Sequence, residues 1–324
     1  MHSVYVVGAG GIGCAVGYAL AAAGLRVVFI EADGDKIAWG RAHGVQVDHR
    51  PPRPAEFLPF ADWSPRPGAT VLLCTKCFHN PVVLDRLPVE VDLIPIQNGF
   101  DPALETKPPA VEGIASFVSE CYPGRSHTRI TRAGRLHFGA RRAGGDPAGS
   151  EAIRRLRGNS LFRVELVADI LPYKYTKLMY NAAISPLAAA AGIDNGRLLS
   201  VPKARRLFFA LLRENYAILH GAGIPLARIG PFHPATVQRI LRRRSVAQAL
   251  AWAFYPTLRG TYCSMSADLP AGRTEIESYN GHLIGLAADR PCPLNRAIYD
   301  LVKRMERDRI APHVGVLDEI AANV

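Results

Sequence analysis

Residues 4–7 form an unbroken run of β-branched and aromatic side chains that stops at Gly8, and residues 12–23 follow as an alanine-rich stretch closed by Gly24. Together they predict a strand, a turn and a helix. Three further apolar runs, at residues 26–30, 71–74 and 93–96, are separated by helical or loop-like material. Such alternation predicts a parallel sheet wound with helices. Six prolines fall within 17 residues between Pro51 and Pro67. Neither a helix interior nor a central strand tolerates them, so this stretch is expected to be a surface excursion. Residues 114–121 read as another strand, and residues 127–138 as a hairpin turning at Ala133-Gly134, with loop material at Gly144-Gly145. From about Asp169 the period becomes helical, over residues 173–191, 203–220, 235–253, 274–288 and 295–309. The expected organisation is an α/β domain over residues 1–168 and an all-helical domain over residues 169–324.

Composition adds limits. A chain of 324 residues, 48% hydrophobic and 21% charged, buries a sizeable core and is neither disordered nor fibrous. Thirty-nine Lys and Arg against 28 Asp and Glu give a net charge of +11, which admits an acidic partner or an anionic metabolite. The densest basic run, Arg239 with Arg242, Arg243 and Arg244, lies in a predicted helix without interleaved aromatic residues. It reads as a solvated face, and no nucleic-acid partner is expected. Cys14, Cys74, Cys77, Cys121, Cys263 and Cys292 are too scattered for a disulfide framework, which favours a reducing compartment and a cytoplasmic location. No apolar run reaches the roughly 18 residues of a membrane span, and no basic and apolar leader precedes the first strand, so neither a membrane partner nor a secretory signal is expected. The C-x-x-C at Cys74 and Cys77 has no second pair, and no metal is expected.

Gly8-Ala9-Gly10-Gly11-Ile12-Gly13 is a G-x-G-x-x-G sequence set between a predicted strand and a predicted helix, the context that a dinucleotide-binding turn requires. Gly8 permits the tight turn, Gly10 lets backbone approach a pyrophosphate, and Gly13 allows close helix–strand packing. Gly11 and Ile12 open the helix whose N-terminus receives the phosphates. Glu31 ends the second strand, 18 residues after Gly13. A carboxylate there accepts hydrogen bonds from an adenosine ribose and repels a 2′-phosphate, which predicts NAD(H) over NADP(H). Two alternatives stay open: Glu31 caps the helix beginning near Gly34, or Arg41 takes a phosphate. Lys76 and Asn98 come after the runs at 71–74 and 93–96, at the edge of the sheet where ligands bind, although an Asn-Gly turn also accounts for Asn98.

In the helical half, Lys177, Asn181 and Ser185 are spaced i, i+4, i+8, so an ammonium, an amide and a hydroxyl share one helical face. Leu178, Ala182 and Leu187 supply packing on other flanks, and Pro186 is expected to kink the helix. A second cluster runs from Cys263-Ser264-Met265 through Asp268 and Gly272-Arg273 to Thr274-Glu275-Ile276-Glu277, with Asn280-Gly281 beyond. Thr274 and Glu277 have the spacing of a capping box, which puts Glu275 in a first turn.

These motifs, together with Gln97-Asn98-Gly99 and Asn195-Gly196, resemble those of the ketopantoate reductase family of 2-oxoacid reductases over nearly the whole chain. The resemblance implies a Rossmann doubly wound sheet followed by an all-helical domain of the 6-phosphogluconate dehydrogenase C-terminal type. It implies hydride transfer from a nicotinamide cofactor to the 2-keto group of a small branched 2-oxo acid, ketopantoate first. Lys177 is then the general acid toward the carbonyl oxygen and Glu275 its partner or that of a substrate hydroxyl. Asn98, Asn181, Ser185, Asn195 and Ser264 become polar contacts to the small-molecule substrate, and Lys76 lies near the cofactor. The resemblance keeps NADP(H) open, since the members most similar use NADPH, and it allows a homodimer through the helical domain. Ser185 stands where the family commonly has Asn, which brings other 2-oxo acids, imines or opines into view. A non-catalytic dinucleotide sensor or nucleic-acid binder is the reading from outside enzymology.

Overall fold

In the computed structural model, which describes residues 3–106 and 108–322, the first apolar run is strand β1 (Ser3–Val7), buried on both faces. Val4 and Val6 belong to one hydrophobic cluster and Val7 to another, as expected of a strand enclosed between two layers. The next strands are β2 (Arg26–Glu31), β3 (Gln46–Val47), β4 (Glu56–Pro59), β5 (Thr70–Leu73) and β6 (Asp92–Pro95). Five of them form one parallel sheet in the order β4-β2-β1-β5-β6. The strand order changes direction between β1 and β5, the switch point where such sheets open toward ligands. Helices α1 (Gly11–Ala22), α2 (Gly34–His43), α3 (Asn80–Leu84), α4 (Pro102–Thr106) and α5 (Glu151–Leu156) accompany the strands. This is the expected Rossmann-like arrangement.

Five further strands complete this part: β7 (Val111–Ala115), β8 (Val118–Cys121), β9 (His127–Arg132), β10 (Arg135–Ala140) and β11 (Arg163–Asp169). β11-β10-β7 form a sheet joined to β6 by one parallel bridge, Ile96 to Gly113, while β3-β9-β8 form a small sheet against α1.

Three expectations are corrected here. The proline-rich stretch contains β4, which survives because it is an edge strand, where a missing N–H at Pro59 breaks no central ladder. Residues 114–121 are two strands of different sheets. Residues 127–138 are not a hairpin, because β9 pairs with β8 and β3 whereas β10 pairs with β7 and β11. The reason lies at Gly134, where a Cβ would collide with the backbone of Ser116 and Phe117, so the chain crosses the earlier segment instead of folding back on itself.

The chain divides after Ile170, and the second unit is helical: α6 (Leu171–Ala191), α7 (Arg197–Ser200), α8 (Pro202–Gly221), α9 (Pro234–Leu241), α10 (Arg244–Leu258) and α11 (Met265–Asp268). A π-helical turn (Glu277–Gly281) then leads into α12 (His282–Ala287), with α13 (Pro293–Asp308) and α14 (Val316–Ala322) closing the unit. α13 buries Leu294, Ile298, Leu301, Val302 and Met305, the spacing of a helix with one apolar stripe. The single helix expected over 235–253 is two, broken where Arg243 takes an extended conformation. The arginines at that break are exposed, which fits a solvated face. No described helix is long and apolar enough to cross a membrane.

One buried group links stability to pH. His137 on β10 is 1% exposed, and burial pushes its imidazole below the ordinary 6.5 despite attraction from Glu165 at 3.4 Å. The unfolded chain therefore takes up a proton at a pH where the folded chain does not, and stability falls as pH drops below about 6.5. We expect the melting temperature to decline on acidification through this window and the decline to flatten in His137→Gln. An unchanged slope in thermal melts across pH would refute the assignment.

Candidate functional site

In the first unit the glycine-rich turn sits at the switch point. Gly8 has φ of +97°, a conformation that side chains disfavour, and a Cβ there would press on Thr75 N at 3.1 Å. A Cβ on Gly13 would overlap the Gly8 carbonyl oxygen, so only glycine lets α1 start this close to β1. One on Gly11 would meet Ser119 O at 2.7 Å, whereas Gly10 faces open space with no heavy atom within 4 Å of a Cβ. No side chain caps α1, which leaves the first N–H groups of the helix, around Gly11 and Ile12, as a ready anion cradle.

The turn is tied to its neighbours on both sides. Glu31 at the end of β2 accepts from Ala9 N at 2.7 Å, and also from Ala32 N at 2.8 Å and Asp33 N at 3.1 Å. It does not cap α2; Asp33 does, accepting from Asp35 N and Lys36 N. Arg41 donates to Phe57 O at 3.1 Å. On the other side Gln97 Nε2 donates to Thr75 O at 2.8 Å, and Gln97 and Asn80 exchange reciprocal amide hydrogen bonds of 2.8 and 3.1 Å. This buried pair fixes the loops that carry Lys76 and Asn98. Asn98 Oδ1 is buried with no hydrogen-bond partner. Burial pushes the Cys74 thiol up to about 12, and among the described residues no cluster of His, Cys, Asp or Glu is grouped to hold a metal ion.

In the second unit α6 carries the predicted stripe. Lys177 and Asn181 are half-buried and Ser185 is buried, while Leu178, Ala182 and Leu187 are fully buried. The Ser185 carbonyl accepts from Cys263 Sγ at 3.3 Å, which brings the end of the stripe beside the Cys263-Ser264 segment. Asn195 N donates to Thr261 O at 2.8 Å and its Nδ2 to Thr261 Oγ1 at 3.2 Å, leaving a buried Oδ1 without a partner. Ser264 itself is exposed. Glu275 is 5% exposed, with Tyr279 Oη donating to it at 3.4 Å.

The capping box is corrected. Thr274 Oγ1 accepts from Ile276 N, but the carboxylate reaching Thr274 N is Glu306 of α13, at 2.6 Å. Glu277 pairs with Tyr299 and Lys303 instead. Asn80, Glu306, Tyr279 and Asn280 escaped sequence reasoning as supports of the site; only Asn280-Gly281, at the end of a motif-rich stretch, carried any signal.

A helix start open to phosphate at the switch point of a parallel sheet, followed by a helical unit with a lysine-bearing polar stripe, defines a nicotinamide-dependent oxidoreductase. Residues 4–142 match the family described as Ketopantoate reductase PanE/ApbA, and residues 169–306 match Ketopantoate reductase PanE/ApbA C terminal. The chain belongs to the ketopantoate reductase family. It is 25% identical over 332 residues to the 2-dehydropantoate 2-reductase of Halobacterium salinarum, covering 94% of this chain and 99% of that one. The 2-dehydropantoate 2-reductase of Pyrobaculum aerophilum is 33% identical over 147 residues, 44% of this chain and 47% of the relative. Among solved structures, D-mandelate dehydrogenase with NADH and anilino(oxo)acetate matches with a TM-score of 0.77 at 17% identity, covering 94% and 99% of the two chains.

The glycines differ in the space a side chain would find. Gly10→Ala is expected to leave the melting temperature nearly unchanged, because its methyl enters open space, yet to weaken NADH binding roughly tenfold or more by occupying the pyrophosphate approach. Gly13→Ala is expected to destabilise by about 1–3 kcal/mol or more, since the helix must move off the strand. Thermal melts and nicotinamide fluorescence titrations of both variants check the contrast.

Proposed function

We propose that the chain reduces the 2-keto group of a small branched 2-oxo acid, ketopantoate being the leading candidate, with NADH preferred to NADPH. The observation that carries the reading is the Lys177, Asn181, Ser185 stripe on a helix that fully buries Leu178, Ala182 and Leu187 on its other flanks. The cofactor preference rests on Glu31, whose carboxylate at the end of β2 repels a 2′-phosphate. Gly8, Gly10, Gly11, Ile12 and Gly13 hold the pyrophosphate, and Lys76 and Asn98 meet the cofactor from the loops after β5 and β6. The residues fit the group: the Gly10 face is open and Asn98 Oδ1 awaits a donor.

The bound nicotinamide supplies the hydride to the carbonyl carbon. Lys177 holds a proton at Nζ and delivers it to the carbonyl oxygen as negative charge develops there, stabilising that charge before transfer. Glu275 keeps this ammonium, or a substrate hydroxyl, in place. Asn98, Asn181, Asn195 and Ser264 orient the substrate through hydrogen bonds. A different 2-oxo acid is the second reading, favoured by Ser185, whose side chain is smaller than the Asn commonly found at that position in the family.

The test is to titrate the protein with NADH and NADPH by nicotinamide fluorescence, then add ketopantoate and a panel of 2-oxo acids to the tighter complex. Tighter NADH binding and ketopantoate-dependent oxidation are expected. Lys177→Ala is expected to slow turnover by roughly 10²–10⁴-fold with NADH affinity retained. Preference for NADPH would overturn the Glu31 argument, and unaltered turnover in Lys177→Ala would overturn the role of the lysine.

A further inference from the structure

Pro186 lies inside α6, a helix that otherwise runs unbroken from Leu171 to Ala191. Having no N–H, it leaves the carbonyl of Ala182, four residues earlier, without its helical donor. Ala182 is fully buried, so this carbonyl needs a donor from protein. Asn280, 98 residues away in sequence and also fully buried, supplies it: Nδ2 donates to Ala182 O at 3.0 Å. The same Nδ2 donates to Asn295 Oδ1 at 2.9 Å. Both neighbours are acceptors, which fixes the amide orientation and leaves Asn280 Oδ1 unpaired. Asn295 is held in turn by Glu214 Oε1, which accepts from its N and Nδ2 at 2.7 and 2.8 Å, and by Asn215 Oδ1 at 2.8 Å. Asn215 Nδ2 donates to the Met179 carbonyl at 2.9 Å. Two carbonyls of α6 flanking Asn181 are thus gripped by side-chain amides from outside the helix. Asn280 sits in the π-helical turn just beyond Glu275.

We propose that Asn280 is a positioning residue: by replacing the hydrogen bond that Pro186 removes, it fixes the helix carrying Lys177, Asn181 and Ser185 relative to the segment carrying Glu275. The proposal rests on the reading that Lys177 and Glu275 serve the reduction. A contact that merely added stability would show itself in melting temperature; a positioning contact shows itself in turnover and depends on the missing N–H at residue 186.

That dependence gives the test. Pro186→Ala restores an N–H at the position from which the Ala182 carbonyl is normally served. In the full-length protein, Asn280→Ala is expected to lower kcat roughly tenfold, with NADH affinity unchanged because the first unit holds the dinucleotide. In the Pro186→Ala background the same change is expected to cost less than about threefold. Hydrogen exchange of the amides at residues 183–191 is read on the same four proteins, with faster exchange in Asn280→Ala and recovery in the double variant. Equal losses of kcat in both backgrounds, or a lowered melting temperature with intact kcat, would overturn the proposal. Should Asn280→Ala fail to fold, Asn280→Asp serves: its carboxyl donates only when protonated, so any loss of kcat should shrink on acidification, and a loss relative to wild type that stays the same as pH falls refutes the clamp. If none of the 2-oxo acids supports NADH oxidation by the wild-type protein, the functional reading falls, while the exchange measurements still decide whether Asn280 stands in for the lost hydrogen bond.

Discussion

The backbone of α1 comes so close to β1 that any side chain on Gly13 would strike the Gly8 carbonyl, and much of the first unit depends on that approach. It places the helix start directly over the strand end, with its unpaired N–H groups aimed at the switch point. One turn later the same closeness requires Gly17, because a Cβ there would collide with the ring of Phe29. Phe29 stacks on Phe57 with ring centroids 4.9 Å apart, a contact worth about 0.5–1.5 kcal/mol beyond its buried area. On α2, a Cβ at Gly40 would lie 2.5 Å from Phe57. A single aromatic pair, admitted by a glycine on each helix, therefore sets α1, β2, β4 and α2 against one another.

The helical unit meets a different constraint. α6 must bury most of its surface yet keep a lysine, an asparagine and a serine on one face, and it contains a proline besides. Leaving a buried carbonyl unsatisfied costs about 1–3 kcal/mol, so the break at Pro186 demands an external donor. The chain answers with buried amides at positions 215, 280 and 295 joined to Glu214. Apolar residues of similar volume would pack there but would leave the Ala182 carbonyl without a donor. The network therefore trades some packing freedom for a defined helix position, as satisfied buried polar groups can.

Legibility in the sequence tracks the range of the interaction. β1, the glycine turn and α1 were legible because their signals are local: a β-branched run, a motif and an alanine-rich helix. The Lys177, Asn181, Ser185 stripe was legible for the same reason, being one helix seen from its own spacing. β4 was hidden because proline density outweighed Phe57-Leu58, and only edge placement excuses the prolines. The false hairpin at Ala133-Gly134 had the right turn residue, but Gly134 accommodates a crossing chain nearly twenty residues away. The capping box had the right spacing and the wrong partner, since Glu306 lies 32 residues from Thr274. Asn80 with Gln97, and Asn280 with Ala182, depend on contacts between elements far apart in sequence, which no local pattern encodes.

Glu31 shows how an acidic residue at the end of β2 serves the fold. A carboxylate offers about four acceptor sites, and backbone N–H groups of Ala9, Ala32 and Asp33 take three of them. One direction remains for a ribose hydroxyl in the proposed reading. The bond to Ala9 joins the end of β2 to the middle of the glycine turn. A basic residue at this position would offer Ala9 N no acceptor, whereas a neutral amide would still offer one. The carboxylate at the end of β2 is therefore one of the supports that hold the glycine turn against the sheet.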